Sequence, residues 1–395
     1  MEGHIHKRVR VDGAGKSHVL WYVILELERG VNGRRRQKWH GGFATRKDAE
    51  AARAKLVNEI NTGLYLPSNG ATLGAWIEDN WLPMMSTQVK SSTWSSYSAN
   101  MKRHVLPAIG GVKFKSLTAG HLDKLYAALG NGSSATGAHL SPKTIRYIHT
   151  TLHKCLSDAV AAGMMQSNPA DRSHPPKPKA SQNTEIKVWT PPQLSAFLNA
   201  ARHDRLYAAF HLLAMTGMRR GEVLGLRWDD IDVAKARLAI RRGLISVNYN
   251  LEFSTPKTHQ ARVVDLDPTT LAHLATHRDN QASEKTAWGA GYLHSDQVFT
   301  REDGSLVHPE SLSDRFEVLQ HRIDLPVLRL HDLRHTHASI ALSIGIPVKV
   351  ISERLGHETP AFTLKQYAHV LPGMQAEAAV LVASLITSKI QEKPA

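Results

Sequence analysis

The sequence predicts a multidomain protein, mainly α-helical with small β-sheets: a small sheet plus one helix at the N-terminus, an all-helical middle and an α+β C-terminal region. Three observations support this. The chain has 395 residues, enough for two or three domains with real cores. Its pattern changes from short strand-like runs before residue 46 to helical periodicity after residue 72. Residues 168–188, NPADRSHPPKPKASQNTEIKV, hold four prolines and no periodicity, as an extended linker would. The expected divisions are 1–66, 70–170, a linker at 171–186, and 187–395.

In the first division, strand-like runs at Ile5 to Val11, Val19 to Leu27 and Arg34 to Phe43 are punctuated by glycine-containing turns. A helix is expected from Arg46 to Asn61, with Ala49, Ala52, Leu56 and Ile60 on one face and Gly63 after its end. The stretch GRRRQK, carrying Arg34, Arg35, Arg36 and Lys38, would sit at a turn and suits insertion into a DNA groove, although a solvated basic turn is the plain alternative. In the second division, helix starts are signalled at Thr72, Ser91, Thr118 and Ser141, the last followed by Pro142 at the first helical position. That helix packs through Ile145, Ile148 and Leu152 and carries Lys143, Arg146 and His149. Lys143 and Arg146, with Lys90, are candidates for phosphate contact, since helix N-termini favour anions. In the last division, Thr190 caps a helix, and Leu206, Phe210 and Leu213 form a core face before Gly217. Strand-like runs follow at 236–247 and 261–266, with EFSTPKTHQ between them and Lys257 at a hairpin tip. A final helix shows an apolar stripe of Ala378, Leu381, Val382, Leu385 and Ile386.

Composition narrows the partners. With 49 Lys+Arg against 35 Asp+Glu the formal charge is +14, which favours a polyanion, nucleic acid first. The first 66 residues hold 13 Lys+Arg and 7 Asp+Glu, a net of +6. An anionic membrane surface ranks well below, because no basic amphipathic segment stands out. The single cysteine, Cys155, excludes an internal disulfide and a cysteine-rich zinc site. No apolar run approaches bilayer length and the N-terminus has no signal-like apolar core, so a cytoplasmic protein is expected.

Residues 331–340, HDLRHTHASI, concentrate three histidines and an arginine. On a helix His331, Arg334 and His335 share one face. Alone, such a cluster reads as solvated or structural. His331 and His335 also have the spacing of a zinc-binding helix pair, but Asp332 and Leu333 stand where H-E-x-x-H has its glutamate and the following residue. Four further motifs change the reading. TGMRRGEVLGLRW supplies Arg219 with Glu222 three residues on, TPKTHQARVV supplies Lys257, LGHETP supplies His357, and TLKQYAHV supplies Tyr367.

In order, wording and spacing these five motifs resemble the tyrosine recombinases, the phage integrase family. The resemblance covers the whole chain in outline and is strongest from 185 to 390, with every signature position filled: the Arg, the hairpin Lys, His-x-x-Arg, the Gly-His pair and the Tyr ten residues after it. It implies a SAM-like helical core-binding domain, a tyrosine-recombinase catalytic domain and an N-terminal arm-type DNA-binding domain. It further implies catalytic roles for Arg219, Lys257, His331, Arg334, His357 and Tyr367, with Glu222 and His335 in support. Transfer of a phosphodiester to tyrosine builds negative charge on the phosphoryl oxygens, and Arg219, Arg334 and His357 would stabilise it. Tyr367 must lose its proton, and His331 is placed by analogy to help accept it. Lys257 would protonate the departing 5′ oxygen. The resulting 3′-phosphotyrosine ester conserves the bond, so neither ATP, cofactor nor metal is called for. His335 and His337 read as packing or structural groups.

The resemblance also implies double-stranded DNA attachment sites of core and arm type, a homotetramer in synapsis, a host DNA-bending protein and an excision directionality factor. The C-terminal stripe fits docking on a neighbour or packing within its own chain equally. Three other readings remain open: a regulator that never cuts, which leaves Tyr367 unexplained, a swivelling topoisomerase of the same chemistry, and a metal-dependent nuclease, which needs carboxylate clusters.

Overall fold

The computed structural model describes residues 3–11, 13, 17–27, 36–61, 70–133, 137, 139–177, 187–255 and 261–367, with short pieces at 379–380, 382–384 and 386. The chain divides into two compact units, 1–179 and 180–395. The boundary expected between 66 and 70 falls largely on residues outside the described set. No helix among the described residues is long and apolar enough to cross a membrane.

Strands β1 (Gly3–Val11), β2 (Ser17–Leu27) and β3 (Arg36–Phe43) make an antiparallel sheet in sequence order, followed by α1 (Arg46–Asn61). Directly opposed residues share a face of a sheet. Val23 and Leu25, with Ile5 and Phe43 beside them, therefore pack against Ala49, Ala52 and Leu56 of the helix. The alternate register, His4, His6, Arg8 and Arg10 opposite Ile24, Tyr22, Leu20 and His18, lies on the face away from the helix.

The helical region begins with α2 (Leu73–Trp76), which runs through a π-helical turn at Ile77–Trp81 into α3 (Leu82–Gln88). Next come α4 (Ser91–Asn100), a second π turn at Met101–Val105, α5 (Leu106–Ile109), α6 (Ala119–Gly130) and α7 (Pro142–Ala161). The expected starts at Thr72, Thr118 and Ser141 are capped: Thr72 and Ser141 accept backbone N–H groups, and Thr118 forms a capping box with His121. Ser91 is instead the first helical residue, and Lys90 takes the cap position. Ile145, Ile148 and Leu152 are buried in one core with Trp81, Leu122 and Leu129.

The stretch read as extended from residue 168 starts otherwise. Residues Pro169–Arg172 form a 3-10 turn, because Asn168 caps it and donates to the His153 carbonyl and Ser157 Oγ. His153 then meets Asp171 at 2.8 Å, and the His174 N–H donates to Asp123. This anchors the beginning of the expected linker to α6 and α7; residues 178–186 lie outside the described set.

In the second unit α8 (Pro191–Ala201) starts at a Thr190–Gln193 capping box. Then α9 (Tyr207–Thr216), buried almost all round, runs through the core formed by Trp189, Phe197, Phe210 and Phe316. After α10 (Arg220–Leu224) come β4 (Ile231–Asp232), β5 (Arg237–Ile240), β6 (Gly243–Val247), β7 (Asn250–Ser254) and β8 (Arg262–Asp265). Strands β4, β5 and β8 form one sheet and β6–β7 a separate hairpin. This corrects the expectation of one strand at 236–247 paired across a tip: the run breaks at Arg241–Arg242, both held by the buried Asp230 carboxylate. The segment bearing Lys257 thus links β7 of the hairpin to β8 of the sheet; residues 256–260 lie outside the described set. Helices α11 (Pro268–Trp288), α12 (Pro309–Gln320), α13 (Asp332–Ser343), α14 (Val348–Leu355) and α15 (Pro360–Tyr367) complete the unit. Of the C-terminal stripe, Val382 and Ile386 are exposed, whereas Ala378, Leu381 and Leu385 lie outside the described set.

Candidate active site

The site is assembled on two helix ends. Helix α9 stops at Gly217, which is left-handed at φ 63°. A Cβ there would meet Leu355 Cδ2 at 2.5 Å and His337 Cδ2 at 2.9 Å, so both conformation and space demand glycine. The turn delivers Arg219 as the N-cap of α10, half-exposed. Glu222 closes that turn, accepting from the Arg219 backbone N–H at 2.8 Å and from its Nη1 at 2.9 Å. The same carboxylate receives both Nη groups of Arg262, at 2.9 and 2.7 Å. Burial alone would raise the Glu222 pKa, but the Arg262 hydrogen bonds and charge, with Arg219 added, hold it down to about 2.

Arg334, on the first turn of α13, is 4% exposed and bridges the two helix ends. Its Nη1 donates to the Gly217 carbonyl and its Nη2 to the Leu355 carbonyl, each at 2.7 Å. Carbonyls in a last helical turn lack helical partners and favour cations. The same logic recurs nearby. Arg354 donates to Met215 O, Arg262 Nε to Arg354 O, and His337 Nδ1 lies 3.0 Å from Ala214 O. His337 is therefore a brace, as expected. Burial, then the charge of Arg219, lowers the Arg334 pKa to about 9, still cationic at neutral pH, and an arriving anion would relieve that stress.

Tyr367 ends α15 and is 1% exposed, set against Ala338, Ala341, Leu342, Ile351 and Leu355. Burial pushes its hydroxyl up to about 12, opposed by the charge of Arg334. Its Oη lies 2.7 Å from His335 Nδ1. The sequence reading assigned this neighbourhood to His331. The structure instead sets His331 one turn earlier, its ring 5.3 Å from that of His335 and edge-on to it. His331 is exposed on one side and crowded on the other; burial of the inner side, then His335 and Arg334, lowers it to about 4. His357 follows Gly356, left-handed at φ 67°, where a Cβ would strike the Arg262 side chain at 2.9 Å. Its Nδ1 is 2.7 Å from Thr363 Oγ1, and burial, then Arg334 and Arg219, brings it to about 4.

Five of the six catalytic candidates thus converge, and Lys257 lies outside the described residues. Sequence reasoning missed Arg262, which no local pattern marks. It also missed the open face of the N-terminal sheet, where exposed Arg8, Arg10 and His6 lie beside Tyr22 and Trp39, the last stacking edge-on with both aromatic neighbours. The alternation HIHKRVRV carried that signal. Arg34 and Arg35 lie outside the described set, and Arg36 and Lys38 take strand positions opposite Leu27 and Leu25. Lys143 and Arg146 are exposed along α7, as is the adjoining Tyr147, whereas Lys90 is half-buried.

Comparison with known proteins agrees with this architecture. The phage integrase family matches residues 187–373, the arm DNA-binding domain family 9–60, and the phage integrase N-terminal SAM-like domain family 72–130. The chain belongs to the phage integrase family of tyrosine recombinases, enzymes that cut and rejoin DNA. It is 28% identical to a XerC-like tyrosine recombinase of Caldanaerobacter subterraneus, over 90% of this chain and 94% of that one. It is 25% identical to the integrase of Mycobacterium phage L5, over 72% of each. Among solved structures, the Tn1549 transposon integrase in complex with a circular intermediate DNA aligns with a TM-score of 0.64 at 19% identity, covering 79% of this chain and 99% of that one. A lambda integrase tetramer bound to a Holliday junction aligns at 0.56 and 17% identity, covering 91% and 94%. Both are likenesses of fold.

Proposed function

We propose that this protein is the site-specific integrase of a phage or other integrative element, exchanging strands between element and host attachment sites through a 3′-phosphotyrosine intermediate. The observation that carries the reading is the convergence of Arg219, Arg334, His357 and His331 on the neighbourhood of Tyr367, with the Arg334 charge acting on its hydroxyl. In this reading Tyr367 Oη attacks the scissile phosphorus. Arg219 and Arg334, preset on the helix ends, bind the phosphoryl oxygens as charge develops, and His357 donates to them. Lys257 protonates the departing 5′ oxygen. A 5′ hydroxyl from a second duplex then reverses the step, so the energy of the broken bond is kept.

DNA is engaged at two kinds of site. The sheet face of Arg8 and Arg10, together with the basic stretch from Arg34 to Lys38, takes arm-type sequences. Lys143, Arg146 and Lys90 take the backbone of the core site. Four protomers act together, as the tetrameric assembly of lambda integrase suggests. A host bending protein and a directionality factor assist integration and excision, and the reaction takes place on DNA in the bacterial cytoplasm.

The test is a nicked suicide duplex carrying the candidate core site, incubated in EDTA with wild type or Tyr367→Phe and run on a denaturing gel. A covalent protein–DNA band from wild type alone is expected. No band, despite a shift of the same DNA on a native gel, would overturn the reading.

A further inference from the structure

We propose that His335 is the catalytic group that takes the phenolic proton of Tyr367, the part that sequence reasoning gave to His331. The inference rests on Tyr367 being the nucleophile. Geometry carries it: Nδ1 of His335 is 2.7 Å from Tyr367 Oη, and among the described residues this is the hydroxyl's only hydrogen bond. The two rings are inclined at 56° with centroids 5.7 Å apart, the approach of a hydroxyl to an in-plane nitrogen rather than a stacked pair. A base that is to remove a proton must lie within hydrogen-bond reach of it, and His335 meets that requirement. Among the described residues His331 makes no hydrogen bond to Tyr367.

The surroundings suit a base. The ionisable groups facing His335 are Tyr367 from α15, His357 from the turn before it, Arg329 from the loop before α13, and His331, Asp332 and Arg334 on or beside its own helix. Burial, with Arg334 and Arg329 adding and Asp332 opposing, lowers its pKa, so the imidazole is neutral at pH 7 and Nδ1 can accept. After transfer, the Asp332 carboxylate lies close enough to stabilise the imidazolium. As the Oη–P bond forms and the P–O5′ bond breaks, the Oη proton passes to His335 Nδ1, and the 5′ oxygen takes a proton from the general acid. Rejoining runs backwards: the general acid, now deprotonated, takes the proton of the incoming 5′ hydroxyl, and Nδ1 returns its proton to the departing tyrosine oxygen. Because His335 directly follows Arg334 along α13, the phosphate clamp and the proton acceptor ride on one rigid element.

The experiment is single-turnover cleavage of the suicide duplex between pH 5 and 9 by wild type, His335→Ala, His335→Gln, His331→Ala and Tyr367→Phe, each checked for binding the same DNA. The expected result is that His335→Ala cleaves at least about 100-fold more slowly. It should also lose the fall in rate that wild type shows as pH drops through the His335 titration, and recover with added imidazole. His331→Ala should keep that acid limb and gain nothing from imidazole. His335→Gln, which preserves bulk should the alanine variant not fold, should be slow and without the limb. A His335 variant that cleaves as fast as wild type or faster, one that keeps the acid limb, or slow cleavage by His335→Ala that imidazole does not restore would overturn the proposal. Failure of wild type to form the covalent band, or a band from Tyr367→Phe, would instead overturn the nucleophile assignment itself.

Discussion

Glu222 is 6% exposed and still ionised because three donors from two arginine side chains, and one backbone N–H, converge on its two oxygens. Removing one member of such a buried pair typically costs ~3–5 kcal/mol, since an uncompensated charge stays behind. Arg262→Gln should therefore destabilise the protein by about 3 kcal/mol at pH 7 and slow cleavage, while Glu222→Gln/Arg262→Gln, with no charge stranded, should recover part of the stability. The pH dependence follows from the depressed pKa. The stabilisation is complete above the unfolded carboxylate range and is lost as pH falls toward about 2. Without Arg262, burial raises the Glu222 pKa and the loss should begin at higher pH. Urea unfolding at pH 7 and pH 4 decides it; a difference from wild type within about 0.5 kcal/mol at pH 7 would sink the argument. Glu222 was legible as a residue that orients an arginine, because its partner lies three residues away on the same turn. Arg262 was not, since it lies forty residues further on and only the tertiary fold brings it to the carboxylate. The exchange of His331 for His335 has the same origin. One face of a helix holds both rings, and which one meets Tyr367 depends on where α15 packs.

At the level of elements, the helix starts were legible where a side chain closes the backbone locally, as at Thr72, Thr118, Ser141 and Thr190. The strands of the catalytic unit were less so. The hairpin turn between β6 and β7 puts Asn248 and Tyr249 at φ 51° and 66°, a two-residue turn made without the glycine that usually signals it. Arg241 and Arg242 leave the sheet because a buried aspartate outside the strand pattern holds them. Gly217 shows a helix end acting on the site. Its carbonyl receives Arg334, its backbone turns Arg219 toward the same place, and its missing Cβ admits Leu355 and His337. Gly217→Ala adds a left-handed alanine, costing ~1–2 kcal/mol, and a clash with two side chains. We expect a loss of about 2–4 kcal/mol in stability, with cleavage falling more than DNA binding because the two arginines lose their common support. Wild-type cleavage with an unchanged melting temperature would show that the helix end does not set the arginines.

Across the whole molecule the charge of +14 is the largest fact about partners, and in the proposed reading its distribution serves two tasks. Among the described residues α1 packs on one face of the N-terminal sheet, and β1 sets the exposed Arg8 and Arg10 of the other face two residues apart, where alternate side chains point the same way. The exposed side of α7 presents Lys143 and Arg146, just beyond the stretch that matches the family's SAM-like domain. Each cationic side chain that neutralises a phosphate releases a counterion, so deleting one lowers the slope of log affinity against log salt by about 0.9. Arg8→Ala/Arg10→Ala should therefore weaken binding to arm-type DNA, with a salt slope lower by about 2, and leave affinity and cleavage at a core-only duplex unchanged. Lys143→Ala/Arg146→Ala should do the reverse. Affinities measured by titration at several salt concentrations on the two duplexes give all four slopes. Equal losses on both duplexes from either pair would mean that the charge acts as one undivided field. A slope that stays fixed while affinity falls would mean that these side chains hold the fold rather than the phosphates. The predicted double dissociation requires both the separate cores of the two modules and the placement of their charges, so it tests the division of labour directly.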